Sequence, residues 1–173
     1  LLPRRHFGIR ESAFVFLTFF DISSYASRKN PFAVVEMFDR LRPLLDVIGG
    51  TVELMGDVGA GAVAKACNQM VVAGTLVALA EAAIVAKDNG LDVGHVLDVL
   101  GAGLAASELL DQKRDKLADE DFSPSGPAKF LVKDLTFATD SAAGRPLPSL
   151  KVSLDLFTGL TDAGLGCPDW PGC

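Results

Sequence analysis

Gly56-Asp57-Val58-Gly59-Ala60-Gly61-Ala62-Val63-Ala64-Lys65-Ala66-Cys67-Asn68-Gln69 is the stretch on which the reading of this fold turns. Ahead of it stands Thr51 to Met55, TVELM, a short β-strand candidate. Behind it a helix can run unbroken to about Lys87, where Asn89-Gly90 supplies a C-cap. That helix has roughly 27 residues and spans about 40 Å at 1.5 Å per residue.

Three chemistries compete for the glycine turn. A phosphate-binding loop needs lysine directly after its last glycine, followed by Ser or Thr. Here three residues separate Gly61 from Lys65, and that reading fails. Gly59 to Ala64 matches GxGxxA, a form of the dinucleotide fingerprint. The fingerprint also requires a helix of modest length and an acidic residue at the end of a second strand. The helix here is too long, and Glu81 falls inside it.

The third reading centres on Lys65. It stands in the first turn or two of the helix, and Asn68 and Gln69, three and four residues on, share its face. An ammonium near a helix N-terminus feels the positive end of the dipole, and burial acts in the same direction. Both favour a lysine that exchanges protons near neutral pH. A neighbouring amide can hold a substrate oxygen. Helix chemistry alone favours a surface lysine beside solvated amides over a catalytic one.

Outward from this stretch the pattern is helical. Pro31 suits a first helical position, and Phe32, Val35, Phe38, Leu41 and Leu45 recur at helical spacing. Pro43 should kink or restart that helix, and Gly49-Gly50 should end it. Downstream, helices are expected over Val93 to Leu100, Ser107 to Leu117, Pro127 to Ala143 and Ser149 to Leu160. Asp92 can cap the first of these, and Pro127 fits the first turn of the third. Pro146 and Pro148 should force an extended link before the last. Residues 1–30 have no clear period and remain unassigned, while 31–173 read as an all-α domain with a short non-helical lead-in.

Composition narrows the function. Hydrophobic residues make up 49% and charged residues 22%, as in a globular chain rather than a disordered one. The net charge of −6, without a basic stripe, argues against nucleic acid as a partner. Cys67, Cys167 and Cys173 form no CxxC or Cys/His cluster, so no metal is expected and the thiols read as reduced and cytoplasmic. Ala13 to Phe20 is apolar and follows Arg4 and Arg5, but Glu11 interrupts it and no clean cleavage site follows. Met70 to Ala86 is apolar yet shorter than a bilayer span and contains Glu81, so a buried helix is expected and not a membrane segment.

Taken in order, the motifs resemble one family. GxxGxGxxxKxxN, a long alanine-rich helix with Ala80-Glu81-Ala82, and KDNGLD (Lys87 to Asp92) are similar to the β-hydroxyacid dehydrogenases. GAGLAASELLD (Gly101 to Asp111), DFSP (Asp121 to Pro124), LVKDL (Leu131 to Leu135) and RPLP (Arg145 to Pro148) resemble further segments of that family in the same order. The resemblance extends over about Phe32 to Asp169. Asn68-Gln69 and the LAxS turn look like the tartronate semialdehyde reductase (2-hydroxy-3-oxopropionate reductase) branch.

The resemblance implies an all-helical C-terminal domain of the 6-phosphogluconate dehydrogenase type, built around a long central helix. It also implies an N-terminal Rossmann domain that binds NAD or NADP. Lys65 matches the catalytic lysine, which gives a proton to the carbonyl oxygen in reduction and takes one in oxidation. Gln69 matches a substrate-holding position, with Asn68 adjacent. Lys133 matches a lysine that reaches the cofactor, and Gly59 and Gly61 would allow close backbone approach. The substrate implied is a small β-hydroxyacid or its semialdehyde, and the long helix implies a homo-oligomer.

The sequence departs from the family at Gly126 and Pro127, where an aromatic and a polar residue are common. Residues 1–30 do not resemble the end of a Rossmann domain. The chain is therefore expected to lack that domain and to be inactive alone. The alternative is a non-catalytic helical oligomerisation module.

Overall fold

The computed structural model describes residues 40–47, 49, 51–57, 59–123 and 125–166. Pro31 to Phe38, the 1–30 segment and the last residues of the chain lie outside them. Five helices follow one another: α1 (Ala60–Asp88), α2 (Val93–Gly101), α3 (Glu108–Ala118), α4 (Ala128–Ser141) and α5 (Pro148–Asp162). Residues 40–47 are helical as well. The described residues contain no strand, so the fold is all-α as expected.

Four local expectations need correction. Residues 52–55 carry no strand, because a strand exists only with a pairing partner and TVELM has none among the described residues. The helical stretch 40–47 runs through Pro43 without a break. Pro127 is the N-cap of α4, one position before its first turn. Pro148 opens α5 rather than lying in the link before it, where its fixed φ and missing N–H cost nothing.

The helix ends follow local chemistry. Asp92 caps α2 by accepting from the His95 N–H at 2.6 Å, and Ser107 caps α3 by accepting from the Leu110 N–H at 3.1 Å. α1 closes on Gly90, whose φ of 73° lets the Leu91 N–H reach the Ala86 carbonyl at 2.9 Å. α5 closes in the same way on Gly164, with the Leu165 N–H on the Leu160 carbonyl at 2.9 Å.

The chain divides into two compact units, Leu1–Lys65 and Ala66–Cys173, and the division falls within α1. In the first unit Leu45 is buried and its carbonyl accepts from the Gly49 N–H at 2.8 Å. The second unit holds two apolar cores strung along α1. Ala66 and Ala73 pack with Leu135 and Ala138 of α4 and with Leu150 and Phe157 of α5. Further along, Leu79 packs with Leu97 of α2 and Leu110 of α3.

The buried residues of α1 are Ala66, Ala73, Leu79 and Ala86; at about 100° per residue the first two share one face of the helix and the last two share another, roughly 120–160° round from it. Only 17% of the most apolar window of α1 is buried. The expected burial of this helix is corrected, while its length agrees with the sequence reading. α1 has 29 residues and by length and composition alone could cross a membrane. α4 and α5 pack on one face of α1 near its start and α2 and α3 on another further along, while Val71, Ile84 and Val85 stay exposed.

Candidate active site

The site begins at the glycine turn. Gly59 has a φ of 98°, a left-handed value that a side chain would strain, and its carbonyl accepts from the Ala62 N–H at 3.0 Å as α1 starts. A Cβ on Gly59 or Gly61 would meet nothing within 4 Å, so both glycines border open space. That openness fits the expectation that a ligand could approach the backbone here.

Lys65 is the sixth residue of α1 and is half-buried. It therefore stands in the second turn, past the first-turn N–H groups that form the positive end of the dipole. α1 is continuous across the division after Lys65, so helix register relates it to the two amides. With about 100° per residue, Asn68 and Gln69 lie one turn on, about 60° to one side and about 40° to the other. Both are half-buried, and Asn68 Nδ2 donates to Gln69 Oε1 at 3.1 Å. Residues adjacent in a helix do not face each other, so this bond is made by bending two polar side chains together. The sequence pattern did not reveal that pairing.

Lys133 is exposed on α4, five residues before the buried Ala138. The start of α4 is tied to the end of α5 by the Lys129 N–H, which donates to the Gly166 carbonyl at 3.3 Å. Gly166 has to be glycine: a Cβ there would come within 2.8 Å of the Thr161 hydroxyl and 2.9 Å of its Cα. Among the described residues there is no His/Cys/Asp/Glu group that could hold a metal ion.

Asp121 and Ser123 are held by contacts that spacing alone did not show. Lys116 Nζ donates to Asp121 Oδ2 at 2.8 Å and to the Ser123 hydroxyl and carbonyl at 2.6 and 2.9 Å. Asp121 Oδ1 accepts from the Ser123 N–H at 2.8 Å. The Lys116 hydrogen bond, then those from Ser123, hold the Asp121 carboxyl well below the usual carboxylate range. Glu120 before it takes a φ of 53°, and its carboxylate pairs with Lys87 at the end of α1.

Comparison with known proteins places these features. The family model described as the NAD-binding domain of NADP-dependent 3-hydroxyisobutyrate dehydrogenase matches residues 59–169. The chain belongs to this family. Its description names NAD and NADP, in agreement with the cofactor the motifs implied. A probable 3-hydroxyisobutyrate dehydrogenase-like protein of Arabidopsis thaliana is 35% identical over 73% of this chain and 38% of its own length. The 2-hydroxy-3-oxopropionate reductase of Escherichia coli is 31% identical over 70% of this chain and 42% of its own. The crystal structure of a 3-hydroxyisobutyrate dehydrogenase from Salmonella typhimurium superposes with a TM-score of 0.69 at 30% identity, covering 75% of this chain and 46% of that one. The chain thus spans about four-tenths of the length of such relatives.

Proposed function

We propose that this chain forms the helical half of an NAD(P)-dependent dehydrogenase that interconverts a small β-hydroxyacid and its semialdehyde, of the tartronate semialdehyde to glycerate type. The observation that carries the reading is the placement of Lys65, Asn68 and Gln69 within little more than one turn of α1, directly after an open glycine turn. Relatives described as a 3-hydroxyisobutyrate dehydrogenase-like protein and a 2-hydroxy-3-oxopropionate reductase support the reaction class.

The Lys65 ammonium gives its proton to the substrate carbonyl oxygen in reduction, and the amine takes it back in oxidation. Gln69 holds the substrate by hydrogen bonds, with Asn68 beside it in the substrate site. The exposed Lys133 suits an anionic or hydroxyl group of the dinucleotide, and Gly59 and Gly61 leave room beside their backbone for the same molecule. The nicotinamide, when bound, supplies or accepts the hydride. The other half of the site lies on a dinucleotide-binding domain of the family's kind, without which this chain does not turn over substrate.

The long helix also joins two copies of the protein. Val71, Ala78 and Val85 recur on α1 at seven-residue spacing and are all exposed, which supports a homo-oligomer. The net charge of −6 without a basic stripe supports a protein with no nucleic-acid partner, and we assign it to the cytoplasm with no membrane partner.

The test uses the enzyme in which this helical region is joined to its dinucleotide-binding half. Lys65→Met is expected to lower kcat by roughly a hundred- to ten-thousand-fold, the usual worth of a general acid–base, while nicotinamide affinity holds. Unchanged turnover in that variant would remove Lys65 from the mechanism.

A further inference from the structure

A side-chain amide has two chemically opposite ends, an oxygen that accepts and an NH2 group that donates. Free in water it presents either. The Asn68–Gln69 pair removes that freedom, because Asn68 Nδ2 occupies Gln69 Oε1 at 3.1 Å. The hydrogens on Gln69 Nε2 are then what Gln69 can offer a ligand. Both residues are half-buried, where a mismatched polar contact costs more than it does in water.

We propose that Asn68 is a positioning residue that sets the polarity of Gln69. By donating to Oε1 it makes Gln69 a donor, matched to the carboxylate or carbonyl oxygen of a small hydroxyacid. Asn68 acts through Gln69 rather than by touching the substrate carboxylate. This rests on the reading of Gln69 as a substrate-holding residue. It adds a reason for the order Asn-Gln: the first amide orients and the second, longer one reaches.

The helix geometry bears this out. Asn68 and Gln69 flank the line that runs along α1 from Lys65, on opposite sides. A bond between them bridges that line one turn beyond the lysine. An oriented donor there complements an ammonium that also donates, and both suit an oxygen-rich anion. A Gln69 turned the other way would point an acceptor at the same anion and repel it.

Two measurements test the proposal, and they separate its failure from failure of the functional reading. The first uses this full chain without cofactor. In a 1H–15N spectrum one Asn68 side-chain amide proton is expected to be shifted and protected from exchange. Gln69→Glu keeps an acceptor and preserves the shift, while Gln69→Met abolishes it. A resonance that is the same in both variants overturns the pairing.

The second uses the enzyme with its dinucleotide-binding half, assayed with glycerate and NAD or NADP. Asn68→Asp leaves only acceptors at position 68, so the Gln69 amide turns its NH2 group inward. The KM for glycerate is expected to rise roughly tenfold or more, as for a lost hydrogen bond to a charged group, while kcat changes far less. Asn68→Gln keeps the donor and restores most of the affinity. A fall in kcat with KM unchanged, or no rescue by Asn68→Gln, overturns the positioning role. If the unaltered enzyme shows no hydroxyacid oxidation, the functional reading fails, and the spectrum alone decides the orientation of the pair.

Discussion

The two cores along α1 are built differently. Around Ala66 and Ala73, α4 and α5 pack through Leu135, Leu150 and Phe157, and the side chains of Thr136, Thr139 and Thr161 bond back to carbonyls of their own helices. Around Leu79, α2 and α3 add ion pairs to the apolar contacts. Arg114 grips both Asp98 oxygens at 2.8 Å, and Lys87 ties α1 to Glu120. The first region holds together mainly by apolar contacts between its helices. The second has most of its charges committed to one another.

The strongest way to break this comparison is to empty each core in turn. Leu135 and Leu97 are both fully buried, and Leu135→Ala or Leu97→Ala is expected to cost about 2–5 kcal/mol in denaturant unfolding. Hydrogen exchange should rise first in α4 and α5 for the former, and in α2 and α3 for the latter. If either change opens both regions equally, the two cores act as one.

A smaller effect is expected at the seam between α4 and α5. Gly166→Ala forces a Cβ against the Thr161 backbone and should cost on the order of 1–3 kcal/mol, because backbone cannot swing aside as a side chain can. Wild-type stability in that variant would show the seam to be looser than the structure has it.

The smallest effect separates the regions by pH. The Arg114 hydrogen bonds hold the Asp98 carboxyl below its ordinary value of 3.8, and Asp121 is lowered by Lys116 in the same way. A carboxylate whose folded pKa is depressed contributes stability above its unfolded pKa and loses it as pH falls through the folded one. Stability of the α2–α3 region should therefore be flat above about pH 5 and decline below about pH 4. Asp98→Asn should flatten that decline, and high salt should weaken the effect. An acid profile unchanged in Asp98→Asn would mean the ion pair contributes nothing.

The helices were legible in the sequence because their signals are local. The cap at Asp92, the stop at Asn89-Gly90 and the long apolar run each need only a few neighbouring residues to act. The errors came where an element depends on something distant. TVELM has strand composition but no partner, and α1 looked buried because apolarity does not say how many sides of a helix its neighbours cover. Lys65, Asn68 and Gln69 could be picked out by spacing and resemblance, since register follows from helix geometry alone.

The sequence by itself determined the helical class and the family, because propensity, capping and motif order are written along the chain. Tertiary structure alone decided that α1 carries two separate cores and that Lys116 gathers Asp121 and Ser123. Those outcomes depend on which surfaces meet and which polar groups find partners when they lose water. No local pattern encodes that choice.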